Sequence, residues 1–385
     1  MDKLILFILD WYPTPTNNGC VFAMHLIHAI ADMGYECVVV APRAVTGAMF
    51  RKANQVPYKR EELTAKGSKI RIYMPSFLHM TSRKETMGLS MNNHFRSVMG
   101  VIRREKLKPD LVYGHFIYQC GLTAARVGEK LGIPSYCACG ENSLRLMKGS
   151  KPYETGLLFH NWAQILRKLS GVVCVSENNR QLLLDTGFMD GTMKSEVFPN
   201  AVDGTKFRMM DRRTCRKELG FPGDAFVVAY TGTFSSNKGI DRLSEALKSC
   251  DDVYAIFMGQ GAVEPDCENI LFKGRVPNDQ VAKYLNAADI FVLPTRGEGC
   301  CNAIVEALSC GLPVISSNLP FNDDILNEGN SIRIDVENVN QLRESILKLH
   351  HDPLLRSELA KGAAESAREF GIETRARRIL NFMEI

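Results

Sequence analysis

Residues 290–316 read IFVLPTRGEGCCNAIVEALSCGLPVIS. The unbroken apolar run at 290–293 reads as a strand covered on both faces, because no polar residue alternates with it. Gly297 and Gly299 open a loop, apolar residues then recur at helical spacing over 303–309, and Gly311-Leu312-Pro313 ends the helix. A second short apolar run follows at 313–316. Strand, loop, helix and strand in this order make the crossover unit of a parallel sheet.

The same alternation extends outward in both directions. Strands are expected at 226–230, 253–258 and 270–272, with helices at 240–249 and 279–287. Further upstream, strands read at 4–9, 37–41, 70–73, 111–113, 135–138, 172–175 and 196–198, separated by amphipathic stretches at 21–33, 93–106, 121–131 and 177–186. The α/β pattern therefore occurs twice, as two doubly wound, Rossmann-like domains facing a cleft. A chain of 385 residues exceeds what one core usually holds. The boundary is expected at the polar turn Pro199-Asn200-Ala201-Val202-Asp203, giving domains 1–200 and 201–370. Residues 353–385 have helical spacing throughout, and a break at Phe370-Gly371 lets helix 371–385 cross back to the first domain. Residues 42–69 and 74–92 read as long irregular insertions, and a mixed linker is expected after the boundary turn.

Apolar residues make up 45% of the chain and charged ones 23%, ordinary values for a globular protein. The net charge of +4 is too small to argue for nucleic acid. Residues 1–203 carry 25 Lys and Arg against 17 Asp and Glu, so the first half is the one suited to an anionic partner. The twelve cysteines contain no paired CxxC motifs of a zinc site. Met1-Asp2-Lys3 precedes too short an apolar run for a signal peptide, and no run reaches the roughly 18 residues of a membrane span. A cytoplasmic location is the expectation.

In open parallel sheets, ligands bind beyond the carboxyl ends of the strands. Glu298 ends the loop after strand 290–293, and the expected helix start at Gly299, Cys300, Cys301 and Asn302 offers unpaired N–H groups to a diphosphate or a sugar hydroxyl. Glu306 sits inside the helix among Ile304, Val305, Ala307 and Leu308, a costly place for an acid without a task. A carboxylate there can take both hydroxyls of a ribose. The plainer alternative makes Glu298 a helix-terminal charge and Glu306 a surface residue.

This block resembles the signature of the retaining nucleotide-sugar glycosyltransferases of family 4, which have the GT-B fold. Their pattern of Glu, seven residues, Glu, then Ala-x-x-x-Gly-x-Pro-Val is matched at Glu298, Glu306, Ala307, Gly311, Pro313 and Val314. The resemblance implies that Glu298 contacts the donor sugar, that backbone N–H groups of residues 299–302 hold sugar and phosphate, and that Glu306 binds the ribose. Other segments follow the family's order. Tyr230-Thr231-Gly232-Thr233-Phe234 and Lys238-Gly239-Ile240-Asp241 resemble the strand and loop whose Arg and Lys grip the diphosphate. Lys238 matches, and Thr233 stands where the family has Arg. The turn Phe272-Lys273-Gly274-Arg275-Val276-Pro277 resembles the one whose backbone recognises the base, which brings in Arg275 and Val276. Asn200 and Asp203 match the family's linker, and the loop 13–19 ending in Gly19 resembles the glycine loop that nears the diphosphate.

In the first domain, Pro109 to Phe116 resembles the family's strand ending in His, which makes His115 a catalytic and acceptor-side candidate beside Glu298 and Lys238. Many relatives have His-Gly where this chain reads Cys139-Gly140-Glu141-Asn142, so Glu141 and Asn142 are the polar acceptor candidates there. The resemblance implies hexose transfer from a nucleotide diphosphate donor, most often UDP, with retention and without a metal or other cofactor. The acceptor would be a saccharide or lipid-linked saccharide in surface polysaccharide or glycoconjugate synthesis. Asp251-Asp252 and Asp323-Asp324 do not follow strands as metal ligands would. The basic, partly apolar stretch 94–104 suits either peripheral contact with anionic lipid at the inner membrane face or a plain domain helix. Alternative functions on the same architecture are a nucleotide-sugar epimerase or hydrolase and a catalytically weak nucleotide-sugar-binding partner. An oxidoreductase is disfavoured because no GxGxxG follows a strand.

Overall fold

The computed structural model describes residues 3–14, 19–45, 57–79, 84–140 and 157–385. The chain divides into two compact units, Met1–Phe198 with Arg375–Ile385, and Pro199–Thr374.

Unit 1 begins with β1 (Leu4–Leu9), α1 (Val21–Ala31), β2 (Glu36–Val40) and β3 (Arg43–Val45). β4 (Lys59–Leu63), β5 (Lys69–Tyr73) and β6 (Ser76–Leu78) precede the long helix α2 (Lys84–Arg104). Then come β7 (Leu111–His115), α3 (Leu122–Leu131), β8 (Ser135–Cys139), α4 (Leu157–Leu166), β9 (Gly171–Cys174), α5 (Glu177–Asp185) and β10 (Ser195–Val197). Eight of these strands form one sheet in the order β10-β9-β8-β7-β1-β2-β5-β4. All its pairings are parallel except β4 with β5. β1, β7, β8 and β9 are buried at every position, in keeping with their largely apolar sequences. β4 has the alternating sequence KREEL and lies at the edge, where one face meets water. The stretches expected as irregular insertions therefore carry β3, β4, β6 and the first half of α2. Their polar or very short strands give no apolar run to find.

Within 94–104, Val98, Val101 and Ile102 belong to the buried core, and Phe95 and Met99 pack against it. The apolar side of α2 is spent on the domain, and Arg96, Arg103 and Arg104 face outward. The chain end closes unit 1. Tyr136 donates to the carbonyl of Met383 at 3.3 Å and Lys194 to that of Phe382 at 2.7 Å. Gly171 is needed where it is, because a Cβ there would press into the Phe382 ring.

Unit 2 holds α6 (Arg212–Leu219), β11 (Phe226–Thr231), α7 (Ile240–Leu247), β12 (Val253–Met258), β13 (Ile270–Gly274), α8 (Val281–Asn286) and β14 (Ile290–Leu293). It continues with α9 (Asn302–Ser309), β15 (Val314–Ser317), β16 (Ser331–Ile334), α10 (Val339–His351) and α11 (Pro353–Ala367), and α12 (Ile372–Phe382) leads back into unit 1. Its sheet is wholly parallel, in the order β13-β12-β11-β14-β15-β16. The expected linker thus contains α6, whose buried Arg216 binds Asp289 at 2.7 Å while Asp289 also accepts from Val227 N at 2.8 Å. That carboxylate joins α6 to the feet of β11 and β14. The order reverses between β11 and β14, and at such a switch point the two following loops diverge and leave a crevice.

Candidate functional site

The loops after β11 and β14 are stitched together by hydrogen bonds. Arg242 donates to the carbonyls of Pro294 at 2.7 Å and Ser236 at 2.9 Å, and Arg296 N donates to Asn237 O at 2.9 Å. Gly239, at φ +76°, permits this approach, since a Cβ there would strike the Pro294 carbonyl. The consequence is that Lys238 from one loop pairs with Glu298 from the other, and Thr295 Oγ1 donates to the same carboxylate at 3.3 Å. Both charges are largely sheltered, with side chains 26% and 13% exposed. A cation and a carboxylate thus stand together at the switch point of the sheet.

α9 starts at Asn302, three residues later than the sequence suggests, with Cys301 in the N-cap position and no side-chain cap. The polypeptide from Glu298 to Cys301 is loop, because Gly299, Cys300 and Cys301 are buried in extended or turned backbone rather than wound into helix. Asn200 supports this loop, donating its backbone N–H to Cys300 Sγ at 3.3 Å and its side-chain amide to Cys300 O at 3.1 Å. Glu306 is half-buried on the first turns of α9. Burial raises its carboxyl to about 7, with the Lys206 charge pulling the other way. Lys206 in turn donates to Asn278 Oδ1 at 2.5 Å, beside the turn that follows β13.

A hollow of about 430 Å³ opens beyond the ends of β11, β12 and β13. Gly232, Thr233, Arg275 and Val276 line it, and so do Thr231, Met258, Gly259 and Gln260, which the sequence reading did not single out. The Thr231 hydroxyl is buried there without a hydrogen-bond partner. Three loops shape the wall: Gly232 N donates to Met258 O at 3.0 Å, Phe234 N to Gln260 O at 3.0 Å, and Gly259 N to Gly274 O at 2.8 Å. A Cβ on Gly259 or Gly261 would collide with the backbone carbonyls of Gly232 or Phe234. The signal available in the sequence was Gly259-Gln260-Gly261 directly after a strand, the usual mark of close backbone approach.

In unit 1, His115 ends β7 and is 3% exposed, enclosed by Phe22 and Phe116 with ring centroids at 5.3 and 4.4 Å. Burial, assisted by the Arg375 charge, lowers its pKa to about 3, so the imidazole is neutral at pH 7. Its Nε2 has no hydrogen-bond partner among the described residues. The family resemblance makes this side chain a catalytic and acceptor-side candidate, and inside unit 1 it is packed among rings. Gly19 stands at the turn into α1, next to Cys20 at φ +59°.

The model of Glycosyltransferase Family 4 matches residues 21–206, and that of Glycosyl transferases group 1 matches residues 211–369. The chain belongs to the group 1 glycosyltransferases of family 4. It is 26% identical over 373 residues, 94% of its length and 93% of the relative's, to the "Putative teichuronic acid biosynthesis glycosyltransferase TuaC" of Bacillus subtilis (strain 168). Over 219 residues, 51% of the chain and 56% of the relative, it is 27% identical to the UDP-Gal:alpha-D-GlcNAc-diphosphoundecaprenol alpha-1,3-galactosyltransferase of Escherichia coli. Its fold is that of Anabaena HepE, solved in complex with UDP and glucose, at a TM-score of 0.71 and 18% identity over 99% of each chain.

In this family 4 glycosyltransferase, Asn200, Gly232, Thr233, Lys238, Arg275, Val276, Glu298, Gly299, Cys300, Cys301, Asn302 and Glu306 all lie in unit 2. Lys238, Glu298 and Thr295 meet directly, while Gly232, Thr233, Arg275 and Val276 share the hollow. Gly19 and His115 lie in unit 1. Glu141 and Asn142 fall outside the described residues. No helix among the described residues is long and apolar enough to cross a membrane.

Proposed function

We propose that this glycosyltransferase moves a hexose from a nucleotide diphosphate donor, UDP before other bases, with retention at the anomeric carbon and no metal on the diphosphate. The observation that carries this is the Lys238–Glu298 pair at the switch point of the second sheet. In the donor-free state the two charges satisfy each other. A bound donor exchanges that contact for two better suited ones, with Lys238 on the diphosphate and Glu298 on sugar hydroxyls. The base occupies the hollow by the 275–276 turn, and Glu306 takes the ribose. As the anomeric C–O bond to the leaving phosphate breaks, the acceptor oxygen bonds the same face of that carbon. Its proton passes to the departing phosphate oxygen, so no protein base is required. Lys238 and the uncapped N–H groups at the start of α9 stabilise the charge that develops on the diphosphate.

Unit 1 is assigned the acceptor, a saccharide or lipid-linked saccharide in surface glycoconjugate synthesis. The E. coli relative, whose name specifies UDP-Gal and a diphosphoundecaprenol-linked sugar, supports both the base and the acceptor class. Since the apolar side of α2 is in the core, only its exposed arginines remain for contact with anionic lipid. Thr233 in place of the family's Arg favours a second reading, a weakly catalytic nucleotide-sugar-binding partner. Arg242 does not fill that gap, because its guanidinium is held by the Ser236 and Pro294 carbonyls. Turnover assays with UDP-, GDP- and ADP-sugars, following both transfer and free sugar release, separate the readings. Glu298→Ala should cut transfer by about a hundredfold with nucleotide binding largely kept. Glu306→Ala should weaken nucleotide binding by about tenfold or more. Wild-type transfer by both variants would refute the roles. Binding without turnover of any donor would favour the partner, and free sugar without acceptor the hydrolase.

A further inference from the structure

The first sheet has a switch point of its own. β1 pairs with β2 on one side and β7 on the other, so the loops leaving β1 and β7 diverge there. Asp10 follows β1 directly, Cys120 lies in the tight turn Ile117–Gly121 after β7, and His94 reaches the same place from α2. A ring nitrogen of His94, the Cys120 sulfur and an Asp10 carboxylate oxygen all lie within 4.8 Å of one another. Cys120 donates to Asp10 Oδ1 at 3.0 Å. Cys120 and His94 are buried, and Asp10 keeps an exposed edge.

His94 carries the decisive detail. It is 1% exposed, with Nδ1 at 2.8 Å from Thr123 Oγ1, while Nε2 is buried and has no hydrogen-bond partner among the described residues. A ligand at Nε2 would remove the cost of about 1–3 kcal/mol that an orphaned buried nitrogen carries. In the tautomer whose Nδ1–H donates to Thr123, the ring presents a lone pair at Nε2, with the outer hydrogen bond that supports a metal-binding histidine. Burial holds the ring neutral, lowering its pKa to about 4, and Phe77 walls it at 5.1 Å.

We propose that Asp10, His94 and Cys120 form a binding site for a thiophilic divalent cation of the Zn²⁺ class, liganded by a carboxylate oxygen, Nε2 and Sγ. Sulfur and imidazole nitrogen select such an ion over Mg²⁺ or Ca²⁺. Three protein ligands leave the fourth tetrahedral position open on the exposed side of Asp10, for water or a ligand oxygen. Binding displaces the Cys120 thiol proton to solvent and turns the Cys120–Asp10 hydrogen bond into two metal bonds. The site belongs to unit 1, and Lys238 and Glu298 belong to unit 2.

Cobalt(II) titration of the full chain tests the site. The expected result is a thiolate-to-cobalt charge-transfer band that saturates at one equivalent and is displaced by Zn²⁺. Cys120→Ser abolishes it, Asp10→Asn weakens binding about tenfold or more, and Cys215→Ser, in unit 2, leaves it intact. No band at one equivalent, or a band that survives Cys120→Ser, overturns the proposal. Should Cys120→Ser fail to fold, as judged by tryptophan emission, the exposed Asp10→Asn decides: affinity equal to the parent's overturns it as well.

Discussion

At the scale of single residues, the two acids of the second unit differ in kind. Glu298 is matched by Lys238, whereas Glu306 is held mainly by burial, with its pKa raised to about 7. Ribose hydroxyls bond the ionised carboxylate better than the acid, so donor binding must expel the Glu306 proton wherever it is bound. Affinity for an intact nucleotide-sugar should therefore fall as pH drops below about 7, approaching tenfold per unit when only the carboxylate binds. Calorimetry across this range measures it, and Glu306→Gln should flatten the slope. The intact donor is the right probe, because the terminal phosphate of a free nucleoside diphosphate titrates near pH 6 itself. An unchanged slope in the Gln variant would remove Glu306 from the ribose.

At the scale of elements, the hollow depends on three loops held at backbone distance rather than on any large side chain. Gly259 is the tightest of these points: it sits at φ +157°, and a Cβ there would run into the Gly232 carbonyl and the Phe234 ring. Gly259→Ala should destabilise unit 2 by about 1–3 kcal/mol and abolish the thermal shift given by nucleotide. Gly223→Ala is the control, since a Cβ there meets nothing within 4 Å. Equal melting behaviour of the two variants would show that the β11 and β12 loops do not need their close approach. α9 illustrates a second limit of local reading. Helical spacing runs back toward Gly299, yet the helix begins at Asn302, because Asn200 holds the preceding loop by Cys300.

At the scale of the whole molecule, both tryptophans, Trp11 and Trp162, lie in unit 1, so their emission follows that unit. There, His115 is kept neutral with a pKa of about 3. The unfolded chain protonates it below about pH 6.5, so its contribution is present above that value and lost as pH falls. His94 and Asp10 are shifted in opposite senses and offset each other over this window, leaving His115 to set the slope. Unfolding free energies from urea melts read by tryptophan emission should fall by about 1.4 kcal/mol per pH unit between about pH 6 and pH 4.5. A midpoint independent of pH there would mean that His115 is not buried as described. Nearly every long central strand was legible, because a strand covered on both faces must be apolar throughout, as in 4–9 and 290–293. The edge strand β4, the short β3, β6 and β16, and the charged helix α6 were not, since polar or brief segments carry no such constraint. In the second unit, the sequence by itself determined the family and the repeated α/β pattern, and it singled out Lys238, Glu298 and Glu306 as candidates from their places in the loops and helix that follow strands. Only the tertiary structure decided that Lys238 meets Glu298, that Gln260 lines the hollow, that α2 spends its apolar side inward, and that Asp10, His94 and Cys120 converge. These are relations between segments far apart in the chain, and they exist only once sheet order brings the loop ends together.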